Sequence, residues 1–330
     1  MTLAAPFPWF GGKSRVAELV WQRFGRVTNY VEPFAGSLAV LLGRPTPFDG
    51  SETVNDLDCF IANFWRAVTD DPVDVAGHAL WPVNEADLLA RHEWLIGQKD
   101  FRQRLRTDPT YYDAKVAGWW VWGICSWIGS GWCVERGDGH PPEQLPHLGN
   151  AGMGIHRSKL PHLGNAGRGT ALVRWFTELS DRLSRVRVAC GEWHRVLGES
   201  VTVSHGLTGV FLDPPYDEYG HSVTYSAGGG VAADVRAWAV ENGDVDGLRI
   251  ALCGYEGEHQ MPEGWTAVKW KNRGGYGSQS DGRGRENAAR ETIWFSPNCL
   301  DMRRGFIFDF DESEAIPAHV RTLRGGEVAE

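Results

Sequence analysis

The segment Thr28-Asn-Tyr-Val-Glu32-Pro-Phe-Ala-Gly-Ser37 begins as a β-rich run and breaks at Pro33 into a turn of small residues. It leads into the apolar Leu38-Ala-Val-Leu-Leu-Gly43, which predicts a buried helix beginning near Ser37. That is a strand, a small-residue loop and a helix. A second such unit follows at once: Glu52-Thr-Val-Asn-Asp56 reads as a strand and feeds a helix through Asp58–Val68. This alternation predicts a parallel sheet with helices on its faces.

Upstream, Val16, Leu19, Val20 and Phe24 fall at helical intervals, with Ser14 as the expected N-cap. Downstream, the strand pattern resumes at 186–193, at Gly209-Val-Phe-Leu-Asp-Pro-Pro-Tyr216 and at Leu248–Tyr255. Segments 265–272 and 291–296 close the series as an antiparallel terminal pair. Between about 80 and 185 the character differs. Charged helical stretches (85–106) precede a run with five tryptophans, Trp119, Trp120, Trp122, Trp127 and Trp132. Most of these are expected to pack in a core. A Gly/Pro/His-rich segment follows, in which Leu-Pro-His-Leu-Gly-Asn-Ala-Gly occurs at 145–152 and again at 160–167. Two short copies are too few for a solenoid and read as a duplicated surface loop. The expected organisation is a doubly wound α/β domain over 1–80 and 186–300, an inserted subdomain over 81–185, and a tail over 301–330.

Hydrophobic residues at 42% and charged residues at 23% are ordinary values for a chain with a sizeable core. No apolar run is long enough to span a bilayer, and the first residues lack the pattern of a signal peptide, so a cytoplasmic protein is expected. The six cysteines form no CxxC pair and are expected to be reduced; Cys125 and Cys133 with His140, His147, His156 and His162 match no zinc module, and no metal is expected. A net charge of −9 argues mildly against a nucleic-acid partner, but distribution matters more. Residues 151–195 hold eight Lys/Arg against three Asp/Glu, and 264–290 hold six against two.

The strongest chemical signal is Asp213-Pro214-Pro215-Tyr216, directly after an apolar strand. It places a carboxylate and stiff backbone at the carboxyl edge of the sheet, where open α/β sheets bind ligands. Proline has no N–H, so the turn offers acceptors with few competing donors. An amino group brings two donors, which the Asp213 carboxylate and the Pro214 carbonyl can take, while Tyr216 can stack on an attached ring.

This tetrapeptide resembles the catalytic motif of amino-group DNA methyltransferases, and three other segments resemble the Dam-like adenine-N6 class in the same order. Pro8-Trp9-Phe10-Gly11-Gly12-Lys13 is similar to the N-terminal motif of that class, Tyr30–Ser37 to its cofactor loop, and Val54-Asn55-Asp56 to the acidic strand end that follows. The usual second glycine of the loop is Ser37 here. The resemblance implies a Rossmann-like fold that binds S-adenosylmethionine, with Asp213, Pro214, Pro215 and Tyr216 catalytic. It places Trp9, Phe10, Gly11, Gly12 and Lys13 beside the cofactor, which lies over Pro33, Phe34, Ala35, Gly36 and Ser37. Glu32 is implied beneath the sulfonium and Asp56 on the ribose hydroxyls, with Glu192 a weaker candidate for the cofactor's adenine.

The partner implied is double-stranded DNA with a flipped adenine, bound by a monomer or weak dimer. The insert occupies the place of the class's target-recognition region. Ser126, Ser130 and Trp132 are the candidates for reaching DNA, and Arg136, Arg157, Lys159 and Arg168 for phosphate or guanine contacts. Tyr225 is implied to help hold the flipped base, and Lys271 and Arg273 belong to a basic segment that is either DNA-facing or merely solvated. Competing readings are methylation of cytosine N4, of RNA or of a protein glutamine, and a non-catalytic DNA-binding protein on the same scaffold. Asp rather than Ser or Asn before the prolines favours adenine. A nicotinamide dehydrogenase is poorly supported, since no GxGxxG follows the first strand.

Overall fold

The structure, a computed structural model, describes residues 3–9, 12–46, 48–127, 131–134, 169–215, 230–270 and 291–301. The chain divides into two units, Met1–Leu300 and Asp301–Glu330, and the elements among the described residues belong to the first. The strands among the described residues are β1 (Asn29–Glu32), β2 (Ser51–Asp56), β3 (Val186–Cys190), β4 (Thr208–Leu212), β5 (Leu248–Tyr255), β6 (Thr266–Lys269) and β7 (Glu291–Phe295). They form one sheet in the order β3-β2-β1-β4-β5-β7-β6. The first five run parallel, whereas β7 is antiparallel to both β5 and β6. This is an α/β architecture, mostly parallel and compatible with a Rossmann-like fold.

Side chains alternate across the sheet, and both faces are covered. Val31, Val210, Leu212, Ile250 and Leu252 point to one side and pack against Val235 and Ala239 of α9 (Val231–Asn242). Tyr30, Phe211, Ala251, Cys253, Ile293 and Phe295 point to the other and join a larger core. Burial on two faces explains why β4 and β5 read as largely apolar runs. The larger core takes in α1 (Ala17–Phe24), α2 (Ala39–Leu42), α3 (Cys59–Asp70), α4 (Pro72–Ala79), α5 (Glu85–Ile96), α6 (Lys99–Thr107), α7 (Ala114–Ser126) and α8 (Gly169–Leu183).

Helix α3 begins where Asp58 accepts the amide N–H of Phe60 at 2.8 Å, an N-cap contact. It is buried almost all round because α4, α7 and α8 pack on it. Thus α7 and α8, which lie within the stretch read as an insert, share the core of the sheet-flanking helices. Trp120, Trp122 and Trp127 are buried there. Two local expectations are corrected. Ser14 does not cap α1: the carbonyl of Lys13 accepts from Val16 and Ala17 at 3.0 Å each, and the helix starts at Ala17. Helix α2 starts at Ala39 rather than near Ser37, because Gly36 (φ +44°) and Leu38 (φ +53°) are left-handed and cannot join a right-handed turn. No helix among the described residues is long and apolar enough to cross a membrane.

Glu52 on β2 fixes how the chain re-enters the sheet. Its carboxylate accepts from Arg44 at 3.0 Å and from two nitrogens of Arg182, near the end of α8, at 2.7 and 2.8 Å. Glu52 and Arg44 are buried. Removing the shared anion leaves two guanidinium groups without their counter-charge. Glu52→Ala is therefore expected to lower unfolding free energy by about 3–5 kcal/mol in urea titrations monitored by circular dichroism.

Candidate active site

The chain leaves β1 toward β2 and β3, then returns to lay β4 and β5 on its other side. The loops that follow β1 and β4 therefore diverge, and a crevice opens at their carboxyl ends, the topological switch point. The loop after β1 is held rigidly to the end of β2. Ala35 N–H donates to the Asn55 carbonyl at 2.8 Å, and Gly36 N–H to Asp56 Oδ2 at 3.0 Å. Asn55 Nδ2 reaches both the Pro33 carbonyl at 3.0 Å and the Gly191 carbonyl at 2.9 Å, joining the loops after β1 and β3. From α3, Trp65 Nε1 donates to the Gly36 carbonyl at 2.9 Å. A side chain at Gly36 would collide with the indole of Trp9, 2.5 Å from the position of its Cβ, and φ is positive there. Glycine is thus required both by the turn and by the approach of Trp9.

A cluster of buried charge lies beside this loop. Along β1, β4, β5 and β7, the side that carries Tyr30, Phe211, Ala251 and Ile293 brings Glu32, Asp213, Cys253 and Glu291 to the carboxyl edge. Lys13, 4% exposed, enters from the N-terminal segment. Its Nζ lies 2.9 Å from Asp213 Oδ2 and 3.5 Å from Glu291 Oε2, and 5.8 Å from the centre of the Trp270 ring. Burial opposes the ammonium charge, but Asp213, Cys253 and Glu291 outweigh it and hold Lys13 above the ordinary lysine range. Glu32 accepts from the Tyr30 hydroxyl at 2.9 Å. Burial, opposed by that hydrogen bond and reinforced by Asp213, pushes its carboxyl up to about 8. Asp56 accepts from Gly36 on one oxygen and from Asp58 N–H on the other at 2.8 Å. Burial and then the neighbouring Asp58 raise it to about 7.

The structure brings Trp9, Gly12, Lys13, Glu32, Pro33, Phe34, Ala35, Gly36, Ser37, Asp56, Asp213, Pro214 and Pro215 to the carboxyl edge of β1, β2 and β4 or to the N-terminal segment against it. Glu192 is exposed just past β3, while its neighbour Trp193 lies against the buried Phe34, ring centres 6.3 Å apart. Ser126 and Trp132 spend their polar groups inside the chain. Ser126 Oγ donates to the Trp122 carbonyl at 2.9 Å and Trp132 Nε1 to the Trp120 carbonyl at 3.1 Å, with the Trp132 ring packed over Gly123. Phe10, Gly11, Ser130, Arg136, Arg157, Lys159, Arg168, Tyr216, Tyr225, Lys271 and Arg273 lie outside the described residues. Glu291, Trp193 and Trp65 are site elements that sequence reasoning missed. Trp193 follows directly on the weaker candidate Glu192, which is the one local signal that could have found it. No group of three or more His, Cys, Asp or Glu among the described residues is placed to hold a metal ion.

No protein-family model and no curated protein sequence matches the chain.

Glu32 and Asp56 make a pH prediction. Both bind a proton more tightly folded than unfolded, so their contribution to stability is complete below about pH 4 and is lost as pH rises through about 7 to 8. The ligand-free protein should melt at a lower temperature at about pH 8.5 than at about pH 6, and Glu32→Gln should flatten that slope. Scanning calorimetry of both proteins across this range measures it; equal slopes would show that Glu32 titrates as it does in the unfolded chain.

Proposed function

We propose that this protein is an S-adenosylmethionine-dependent DNA methyltransferase that acts on the exocyclic amino group of adenine. The observation that carries the reading is the meeting of Asp213-Pro214-Pro215 with the Pro33–Ser37 loop at one switch-point crevice, with Asp56 closing the side toward β2. The resemblance of these segments to the Dam-like class supplies the chemistry.

The residues present fit the cofactor. Each Asp56 oxygen already accepts one backbone N–H and keeps capacity for a second donor, which suits a ribose diol. Trp9, 38% exposed, and the half-buried Trp193 offer aromatic surface beside the loop. Glu32 carries a proton at neutral pH in the ligand-free site. A sulfonium placed above it favours the carboxylate, so binding lowers its proton affinity and supplies the counter-charge. When bound, the cofactor supplies an electrophilic methyl group.

The chain's own groups position the nucleophile. Adenine's amino nitrogen is planar because its lone pair is delocalised into the ring. Asp213 and the Pro214 carbonyl would each accept a hydrogen bond from one of its N–H groups, favouring a pyramidal nitrogen whose lone pair is available for methylation. Acceleration comes from positioning and electrostatics. In the resting structure Lys13 holds Asp213 Oδ2 at 2.9 Å, an ion pair that orients the carboxylate and favours its charged, accepting form. Within a duplex that nitrogen is shielded, and the base is flipped out at a cost of a few kcal/mol.

Incubation with unmethylated DNA and methyl-labelled S-adenosylmethionine, followed by digestion to nucleosides, tests the reading. N6-methyladenosine is expected, reduced about 10²–10³-fold or more in Asp213→Ala. N4-methylcytosine would retain the mechanism and reassign the base. No labelled nucleoside on any DNA would overturn the function.

A further inference from the structure

Two thiols from distant parts of the chain meet beside the crevice wall and take no part in the chemistry above. Cys59 is the first residue of α3, and Cys190 is the last of β3, in register with Asp56. Both are buried, and the Cys190 thiol donates to Cys59 Sγ at 3.6 Å. That hydrogen bond holds the Cys59 thiol below the ordinary range; burial and Asp58 oppose it, while Arg106 and Arg102 of α6 reinforce it. The Arg106 guanidinium acts on both sulfurs by charge and by hydrogen bonding, and Arg66 adds its charge. Arg102 and Arg106 are exposed, so the pair lies just under the surface beside α6 rather than at the centre of the core. The other cysteines differ. Burial pushes the thiols of Cys125, Cys133, Cys253 and Cys299 up. Because the thiolate is the nucleophile, thiol reactivity is concentrated at Cys59.

We propose that Cys59 and Cys190 form a peroxide-reactive dithiol that closes to a disulfide, with Cys59 the attacking sulfur and Cys190 the resolving one. The Cys59 thiolate attacks one oxygen of hydrogen peroxide, the O–O bond breaks, and the departing hydroxide takes up a proton to leave as water. Cys59 is then a sulfenic acid. The Cys190 sulfur attacks it, the S–O bond breaks, and the oxygen leaves with the Cys190 proton as a second water. Two thiols are oxidised and one peroxide is reduced to two waters. The sulfurs must close from 3.6 Å to about 2.05 Å, a movement of two short side chains already in contact. The bridge would join the segments on either side of Asp56, whose carbonyl accepts Gly191 N–H at 3.0 Å and whose Oδ1 accepts Asp58 N–H at 2.8 Å. It consumes no crevice group. The proposal stands independently of the methyltransferase reading.

The full chain, reduced, is treated with a small excess of hydrogen peroxide, its remaining thiols are blocked with N-ethylmaleimide in denaturant, and it is digested without reductant for mass spectrometry. The expected product is one intramolecular bridge between the Cys59 and Cys190 peptides, with the remainder of the six cysteines alkylated. Because the bridge closes a long loop, the oxidised protein should melt about 5 °C or more above the reduced one, and dithiothreitol should reverse the shift. Cys190→Ser should stop at the sulfenic acid, trapped on Cys59 by dimedone. Arg106→Gln should slow bridging about 3- to 10-fold, because it removes a positive charge beside the thiolate. Thiols left intact by peroxide, bridging only after unfolding in urea, or oxidation spread evenly over the cysteines would overturn the proposal. A Cys59→Ser variant whose Cys190 is oxidised as fast as in wild type would overturn it as well.

Discussion

Strand β1 has the sheet growing away from it in both directions, and the rest of the site depends on that reversal. Loops that leave neighbouring parallel strands on the same course pack against one another; loops that leave in opposite directions cannot, and a crevice results. The chain spends its most constrained backbone there. Gly36 and Leu38 both adopt left-handed conformations within three residues, a combination that persists only where surrounding contacts dictate it. Asn55, Asp56 and Trp65 supply those contacts, each bonding to the backbone of Pro33 or Gly36. The crevice floor is consequently preformed.

Rigid walls allow charge to be buried between them. Glu32, Asp213, Glu291 and Lys13 come from three strands or strand ends and from the segment before α1, so no local sequence motif contains the cluster. Each has an electrostatic need that another meets. The ammonium offsets two carboxylates, the Tyr30 hydroxyl stabilises Glu32, and backbone N–H groups stabilise Asp56. Low dielectric strengthens these interactions and equally penalises their loss. A cationic ligand entering beside Glu32 therefore acts on a site whose protonation is poised near neutral pH, so binding and proton release are coupled.

Much of this was legible from the chain. The runs around Phe211 and Ile250 read as strands because both faces of the sheet are covered and a short apolar run has few other uses, whereas those around Val31 and Val54 are largely polar and read as strands from β-favouring residues followed by a turn and a helix. Asp213-Pro-Pro and Glu32-Pro-Phe-Ala-Gly stood out because proline and glycine at a strand end have steric consequences visible without the fold. Glu291 was not legible. Its place depends on one strand running against the others and inserting between β5 and β6, and local pattern does not encode which strand neighbours which. The start of α2 was misplaced for a related reason: Leu38 adopts a conformation that its side chain disfavours, and only the contacts around Gly36 explain it. The tryptophans between 119 and 132 were legible as core, because large aromatics usually anchor packing, and Trp120, Trp122 and Trp127 are buried in a shared helical core.

The central claim is that the preformed crevice beside β1 holds S-adenosylmethionine through Asp56. Isothermal titration of the ligand-free protein with S-adenosylmethionine, beside Asp56→Ala, tests it most directly. Saturable binding by wild type, weakened about tenfold or more when the Asp56 carboxylate is removed, is the predicted result. No binding by wild type, or equal binding by a folded Asp56→Ala, would contradict the account.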